Sequence, residues 1–232
     1  PSDGLMKPIS SQPVLIDQVY ESLVKAIADG SLPAGSRIRQ EELAERLGVS
    51  RQPVSHALQL LKRQGLLVES GKRGLTVAPL DSARILDLYQ VRTSLDALAA
   101  RLAAQRIAAG TAGPSARREL EDALQRGASL DPDRSAAVFI QADVEFHTAI
   151  YRLSGNTAIE ETVAPQWPHL KRSMGVVLND PGHRPKVWNE HAVIAGFILA
   201  GDAANAEAAA LKHTNRAGTE TSQRLAAINQ AA

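Results

Sequence analysis

From Asp81 to the C-terminus the chain offers no convincing strand; for about 150 residues alanine, leucine and charged residues alternate at helical spacing. Such a stretch buries its apolar stripes only by packing helix on helix, so an all-α bundle is expected. Helices are expected near 81–108, 115–127, 132–154, 156–178, 184–200 and 203–228. The breaks between them fall at Gly110 to Pro114, Asp131 to Pro132, Ser154 to Asn156, Asn179 to Gly182, and Gly201 to Asp202, where turn-forming residues cluster. With 44% hydrophobic and 22% charged residues, the composition is that of a globular chain able to bury a core.

The residues before Pro79 have a different texture. Ile16, Val19, Leu23 and Ile27 are spaced three and four apart, the mark of an amphipathic helix, and Gly30, Pro33 and Gly35 end it. A short helix over Glu41 to Leu47 leads through the turn GVS into RQPVSHALQLLKRQG. There Ser50 is a good N-cap, Pro53 sits in the first turn where its missing N–H is harmless, and Gly65 stops the helix. Val54, Leu58 and Leu61 form the inward stripe of this third helix, which leaves Gln52, Ser55, His56, Gln59 and Lys62 outward. LLVESGKRGLTVAPL then reads as two short strands around a basic tip at Lys72 and Arg73. The expected class is therefore mostly α: an N-terminal winged helix-turn-helix over 14–79, followed by an all-α bundle over 80–232, with 1–13 a flexible start.

The formal net charge of +1 carries no overall bias toward nucleic acid or membrane, so any electrostatic signal must be local. Between Arg46 and Arg73 six basic residues face one acid, Glu69, a local +5 of the kind found where phosphates bind. Cysteine is absent, which excludes thiolate zinc sites and fits a reducing, cytoplasmic setting. No signal-peptide pattern or long apolar run calls for a membrane.

Histidine supplies the second signal. Asp143 and His147 lie one helical turn apart on the face of Phe139, Phe146 and Ile150. His191 falls on the stripe Val187, Ile194, Ile198, and His213 on the stripe Ala206, Ala210, Ala217. Buried polar groups need partners, and two readings are open: each histidine is a core residue bonded to a carbonyl, or the four converge on a divalent metal. Three nitrogens and one oxygen suit zinc foremost, with nickel, manganese, iron or cobalt as further options, better than calcium or magnesium. His183, in PGHRP, is expected at the surface, and His169 either lines the same cavity or caps a helix. Arg92, at the edge of the stripe Leu88, Val91, Leu95 and Leu98, is placed either to bind a carboxylate or to pair with Asp96 one turn on.

The stretch EELAERLGVSRQPVSHALQLLKRQGLL with its glycine-flanked wing resembles the DNA-binding domain of GntR-type bacterial transcription regulators. Asp143 and His147, with His191 44 residues later and His213 22 after that, resemble the metal-binding FCD domain of the FadR-like branch. The resemblance spans roughly 14–228 and favours the metal reading. It implies a homodimer on a palindromic double-stranded operator and a helical domain that senses a small organic acid near the metal. By position it makes Asp143, His147, His191 and His213 the metal ligands, Arg92 a residue facing the effector, and Arg51 a DNA contact. Gln52, Ser55, His56 and Gln59 are then in reach of base edges, and Lys72 and Arg73 of phosphates or the minor groove.

The expected function is a ligand-responsive transcription regulator, a repressor, and not an enzyme. A metal-dependent hydrolase is the first alternative, but it needs a general base, and Glu145 points away from the Asp143 and His147 face. A constitutive DNA-binding protein with a purely structural metal is the second. One departure bears on specificity: the family's recognition helix usually reads R-x-P-V-R-E-A-L, and here Ser55 and His56 replace the second arginine and the glutamate. Serine cannot make the bidentate guanine contact of an arginine, so the preferred operator is expected to differ at the base this position reads. Selection from random duplexes checks this; recovery of the family's common core unchanged at that base would refute it.

Overall fold

The computed structural model describes residues 13–71 and 74–231, and the chain divides into two compact units between Pro79 and Leu80. In the first unit α1 (Pro13–Ala28) is followed by β1 (Arg37–Ile38), α2 (Gln40–Leu47), α3 (Arg51–Arg63), β2 (Leu67–Ser70) and β3 (Gly74–Val77). Pro13, expected in the flexible start, already belongs to α1, and the rest of that segment lies outside the described residues. Val19, Leu23 and Ile27 of α1 pack with Leu43 of α2 and with Val54, Leu58 and Leu61 of α3, all buried. The stripes set by helical spacing are thus the core.

Gly48 closes α2 in the left-handed region at φ 65°, which lets the chain turn into α3 within three residues. Ser50 holds the N-cap position of α3 in extended conformation, although its side chain makes no cap hydrogen bond. The sheet is antiparallel in the order β1-β3-β2, with Leu67 opposite Val77 and Ser70 opposite Gly74. Its third strand, β1, was not expected: two residues are too few to show alternation, and Arg37 and Ile38 are strand only because Thr76 and Leu75 pair with them.

The second unit is entirely helical: α4 (Ser82–Ala108), α5 (Pro114–Ala128), α6 (Ala136–Ser154), α7 (Thr157–Val163), α8 (Trp167–Leu178), α9 (Arg184–Leu199) and α10 (Ala203–Ala231). Two expected helices are corrected. The one placed over 132–154 begins only at Ala136, because the Asp131 carboxylate accepts the Asp133 N–H and holds the chain in a turn. The one placed over 156–178 is divided at Ala164–Gln166, a 3-10 turn that contains Pro165, whose ring and missing N–H interrupt the α-helical ladder. Among the described residues no helix is long and apolar enough to cross a membrane.

The long helices α4 and α10 run antiparallel: Ser222 bonds to Ser82, Thr214 to Asp96, and Arg101 pairs with Glu207. Gly218 permits their close approach, since a Cβ there would stand 2.5 Å from the Tyr89 Cβ. Against α4 and α10 pack α6, α8 and α9, which bring Phe146, Leu170 and Ile194 into one core. Gly218→Ala gains helix propensity of about 1 kcal/mol but overpacks the α4–α10 contact by about 1–3 kcal/mol. A net loss of stability is expected in denaturant titration, and a variant more stable than the parent would contradict the close approach.

Candidate functional site

The geometry at the centre of the bundle starts with α6. Its 3.6-residue period puts Asp143 and His147 on one inward face, 6% and 2% exposed, while α9 contributes His191 and α10 His213, 0% and 6% exposed. One ligand-capable atom from each of the four lies within 4.8 Å of the others. His191 Nε2 is 3.2 Å from His213 Nε2 and 3.4 Å from Asp143 Oδ1, and His147 Nε2 is 3.9 Å from Asp143 Oδ2. The four residues singled out by spacing are therefore brought together from three helices.

The surrounding residues orient these donors. Glu190 accepts a hydrogen bond from His213 Nδ1 at 2.7 Å, which leaves the Nε2 lone pair facing inward. Asp96 Oδ2 lies 3.4 Å from His147 Nδ1 and directs that ring the same way. Asp96 is itself held by the Thr214 hydroxyl at 2.7 Å and by the Tyr151 hydroxyl, and Arg216 donates to Glu190 at 2.6 Å. Asp143 Oδ2 and His147 Nε2 are buried without a hydrogen-bond partner among the described residues. Orphaned atoms of a carboxylate and an imidazole, beside two inward Nε2 atoms 3.2 Å apart, are the donor arrangement a cation satisfies. The residues present fit a divalent metal with three nitrogen ligands and one oxygen ligand.

Electrostatics keep the donors available. Burial, then Arg92 and the neighbouring imidazoles, holds His147 well below the ordinary imidazole range, and burial followed by His213 and Arg92 does the same for His191. Both rings are thus neutral with free lone pairs. Burial raises the Asp143 carboxyl, with Arg92 and His213 partly offsetting it. Burial alone would raise Glu190 too, but the hydrogen bonds from His213 and Arg216 outweigh it and bring Glu190 to about 2.

Arg92 lies in the interior: it is 3% exposed, its Nε lies 3.3 Å from Asp96 Oδ2 and its guanidinium stacks 4.8 Å from the Trp167 ring. The ion pair with Asp96 is present, and Arg92 also lines a cleft together with Asp143, His213 and Thr214. His169 is half-buried and lies outside both the four-residue cluster and the cleft lining. His183 is half-buried rather than at the surface, 2.9 Å from Asp180 and 3.0 Å from Glu220. Glu145 is paired with Arg126 at 3.6 Å, away from the cluster. Sequence reasoning missed Glu190, Tyr151 and Thr214: each reads as an ordinary helix residue, and only the packing of α9 and α10 on α4 and α6 gives it a partner.

In the first unit Arg51, Gln52, His56 and Gln59 are exposed on α3 and Ser55 is half-buried, so they share the outward face. Lys72 and Arg73 lie outside the described residues. Arg51 is paired with Glu41 of α2 at 2.9 Å, so the positive face is weaker than a count over Arg46 to Arg73 suggests, while Lys62 pairs with Glu69, already in that count. The missed partner, Glu41, lies just upstream of that window.

A family model described as "FCD domain" matches residues 87–216, and one described as "Bacterial regulatory proteins, gntR family" matches 15–77. The chain is 32% identical over 200 residues, 84% of its own length and 80% of the relative's, to the "Uncharacterized HTH-type transcriptional regulator in unstable DNA locus" of Streptomyces ambofaciens. Among solved structures it shares its fold with Escherichia coli McbR/YncC, with TM-score 0.75 and 20% identity over 93% of this chain and 99% of that one. The "putative transcriptional regulator GntR" from Rhodococcus sp. RHA1 gives TM-score 0.74 and 22% identity over 89% and 96%.

The depressed imidazoles have a pH consequence. His147 and His191 stay neutral in the fold but take up protons in the unfolded chain below about pH 6.5, so their contribution to stability falls as pH drops through that value. Asp143, raised by burial, acts in the opposite sense, so the histidine effect is read as a difference. His191 stacks 4.1 Å from Phe146, a setting that accepts a phenylalanine. In chelator, wild type is expected to lose more stability between about pH 7.5 and 5.5 than His191→Phe. Equal losses in the two melting series would contradict a neutral, buried His191.

Proposed function

The chain belongs to the GntR family of bacterial regulators, with an FCD domain after its helix-turn-helix, and we propose on that footing that it is a metal-loaded repressor that releases its operator on binding a small organic acid. It is a DNA-binding transcription regulator and not an enzyme. The observation that carries the finer reading is the buried cluster of Asp143, His147, His191 and His213 opening onto a cleft lined by Arg92. A divalent ion held by those four side chains, zinc foremost, would supply a fixed positive charge toward which an acid's carboxylate is oriented. Arg92 adds a second cation at the same end of the cleft.

Burial strengthens that attraction. Arg92 stays charged despite its desolvation because Asp96, Tyr151, Tyr89 and Asp143 surround it, so no proton moves when an anion enters. The acid regulates DNA binding only if it binds the two arrangements of the dimer with different affinity. Two copies then present α3 to half-sites about one helical turn, or a multiple of it, apart in a palindromic operator. Within each half-site Arg51, Gln52, Ser55, His56 and Gln59 read base edges, and Lys72 and Arg73 bind the backbone or minor groove.

Fluorescence anisotropy on selected operator duplexes tests this reading. Arg51→Ala is expected to weaken operator binding about tenfold or more, the loss that goes with one base contact. An acid that weakens operator binding of the metal-loaded protein, but not of chelator-treated protein or of His213→Ala, is the expected response. Acid-independent binding with metal present would favour a constitutive DNA-binding protein with a structural metal.

A further inference from the structure

The cleft beside the four-residue cluster has two unlike ends, and we propose that its effector is a monocarboxylate with an apolar body, not a di- or tricarboxylate; this rests on the acid-sensing reading above. The inner end is polar and buried, formed by Arg92, Asp143, His213 and Thr214. The wall beyond it is mostly apolar, with Tyr89 and Thr221 as its polar members. Met174, Val177 and Leu178 of α8, all buried, face Val187 of α9 and Ala217 of α10. The mouth is an ion pair, Arg216 to Glu220 at 2.8 Å, with the two side chains 24% and 23% exposed.

Charge accounting decides how many carboxylates fit. Besides His213, the lining holds two cations, Arg92 and Arg216, and two anions, Asp143 and Glu220. Arg216 is already committed to Glu190 at 2.6 Å and to Glu220 at 2.8 Å. Glu220 is further held by Arg224 at 3.1 Å and lies 3.0 Å from the His183 ring, so the mouth pair is fixed. The positive charge left outside the mouth pair, Arg92 and the ion proposed for the four-residue cluster, is therefore all at one end, and a ligand's carboxylate finds its partners only there. A second on the same ligand would lie against the α8 side chains, where only the neutral hydroxyls of Tyr89 and Thr221 line the cleft and no uncommitted cation does, or beside the Glu220 carboxylate, and both placements are costly. An alkyl or aryl body meets mainly methyl, methylene and thioether groups there, beside the Tyr89 ring and the Thr221 side chain.

Isothermal calorimetry on the full-length, metal-loaded protein tests this with octanoate, acetate and citrate as probes. Octanoate is expected to bind at least ~10-fold tighter than either of the others, because only it fills the apolar wall. Val177→Asp places an anion on that wall and is expected to weaken octanoate at least ~10-fold while leaving metal content unchanged, since α8 carries none of the four ligand residues. If Val177→Asp does not fold by circular dichroism, Met174→Gln, nearly the same size but polar, replaces it, with weaker octanoate binding again expected. Citrate binding as tightly as octanoate, or variants that bind octanoate like wild type, would overturn the apolar-body proposal and leave the acid sensor standing. Failure of all three acids to bind wild type would remove the sensor reading itself, and this proposal with it.

Discussion

The structure of the helical unit depends on keeping two carboxylates, Asp96 and Asp143, buried inside the bundle. Either one alone in that core is expensive enough to favour unfolding or protonation. Asp96 is satisfied by Tyr151, Thr214 and Arg92, which ties α4 to α6 and α10 at one point. Asp143 is not: Arg92 stands 4.0 Å from its Oδ2, and that oxygen has no hydrogen bond among the described residues. Its neighbours are the inward nitrogens of three histidines. On the proposed reading a cation completes this arrangement, and metal binding and folding of this unit would then be linked.

The same arrangement supports the place proposed for the acid site. The rings are oriented from behind, His213 by Glu190 and His147 by Asp96, and these acids in turn are held by Arg216 and Thr214. The cleft shares Arg92, Asp143 and His213 with the cluster, so a ligand there touches α4, α6 and α10 at once. A change at that point acts on the pair of helices, α4 and α10, that runs the length of the unit.

Much of this was legible beforehand. The three-and-four spacing of Val19, Leu23 and Ile27 and the stripe Val54, Leu58, Leu61 reported the core of the first unit, because burial is what that spacing serves, while Ile16 on the same stripe is only half-buried. Asp143, His147, His191 and His213 were visible as polar residues on apolar stripes, and their convergence follows from the helices packing stripe to stripe. What spacing did not report was whatever depends on a distant partner. Glu190 reads as a solvated residue beside His191 until α10 brings His213 to it, and Arg51 reads as a free cation until α2 presents Glu41. Strand β1 exists only through its pairing with Thr76 and Leu75. Pro165 was in plain view, yet a proline's effect on a helix depends on whether neighbouring turns take over its lost bond, and here the 3-10 turn does.

The most direct test of the central claim is elemental analysis of protein prepared without chelator or a nickel column, equilibrated with zinc and desalted, for wild type beside Asp143→Ala. About one transition-metal ion per chain in wild type, and a clear loss of it in the variant, is the result the account predicts. Wild type that returns metal-free, or a variant that holds as much metal as wild type, would contradict it.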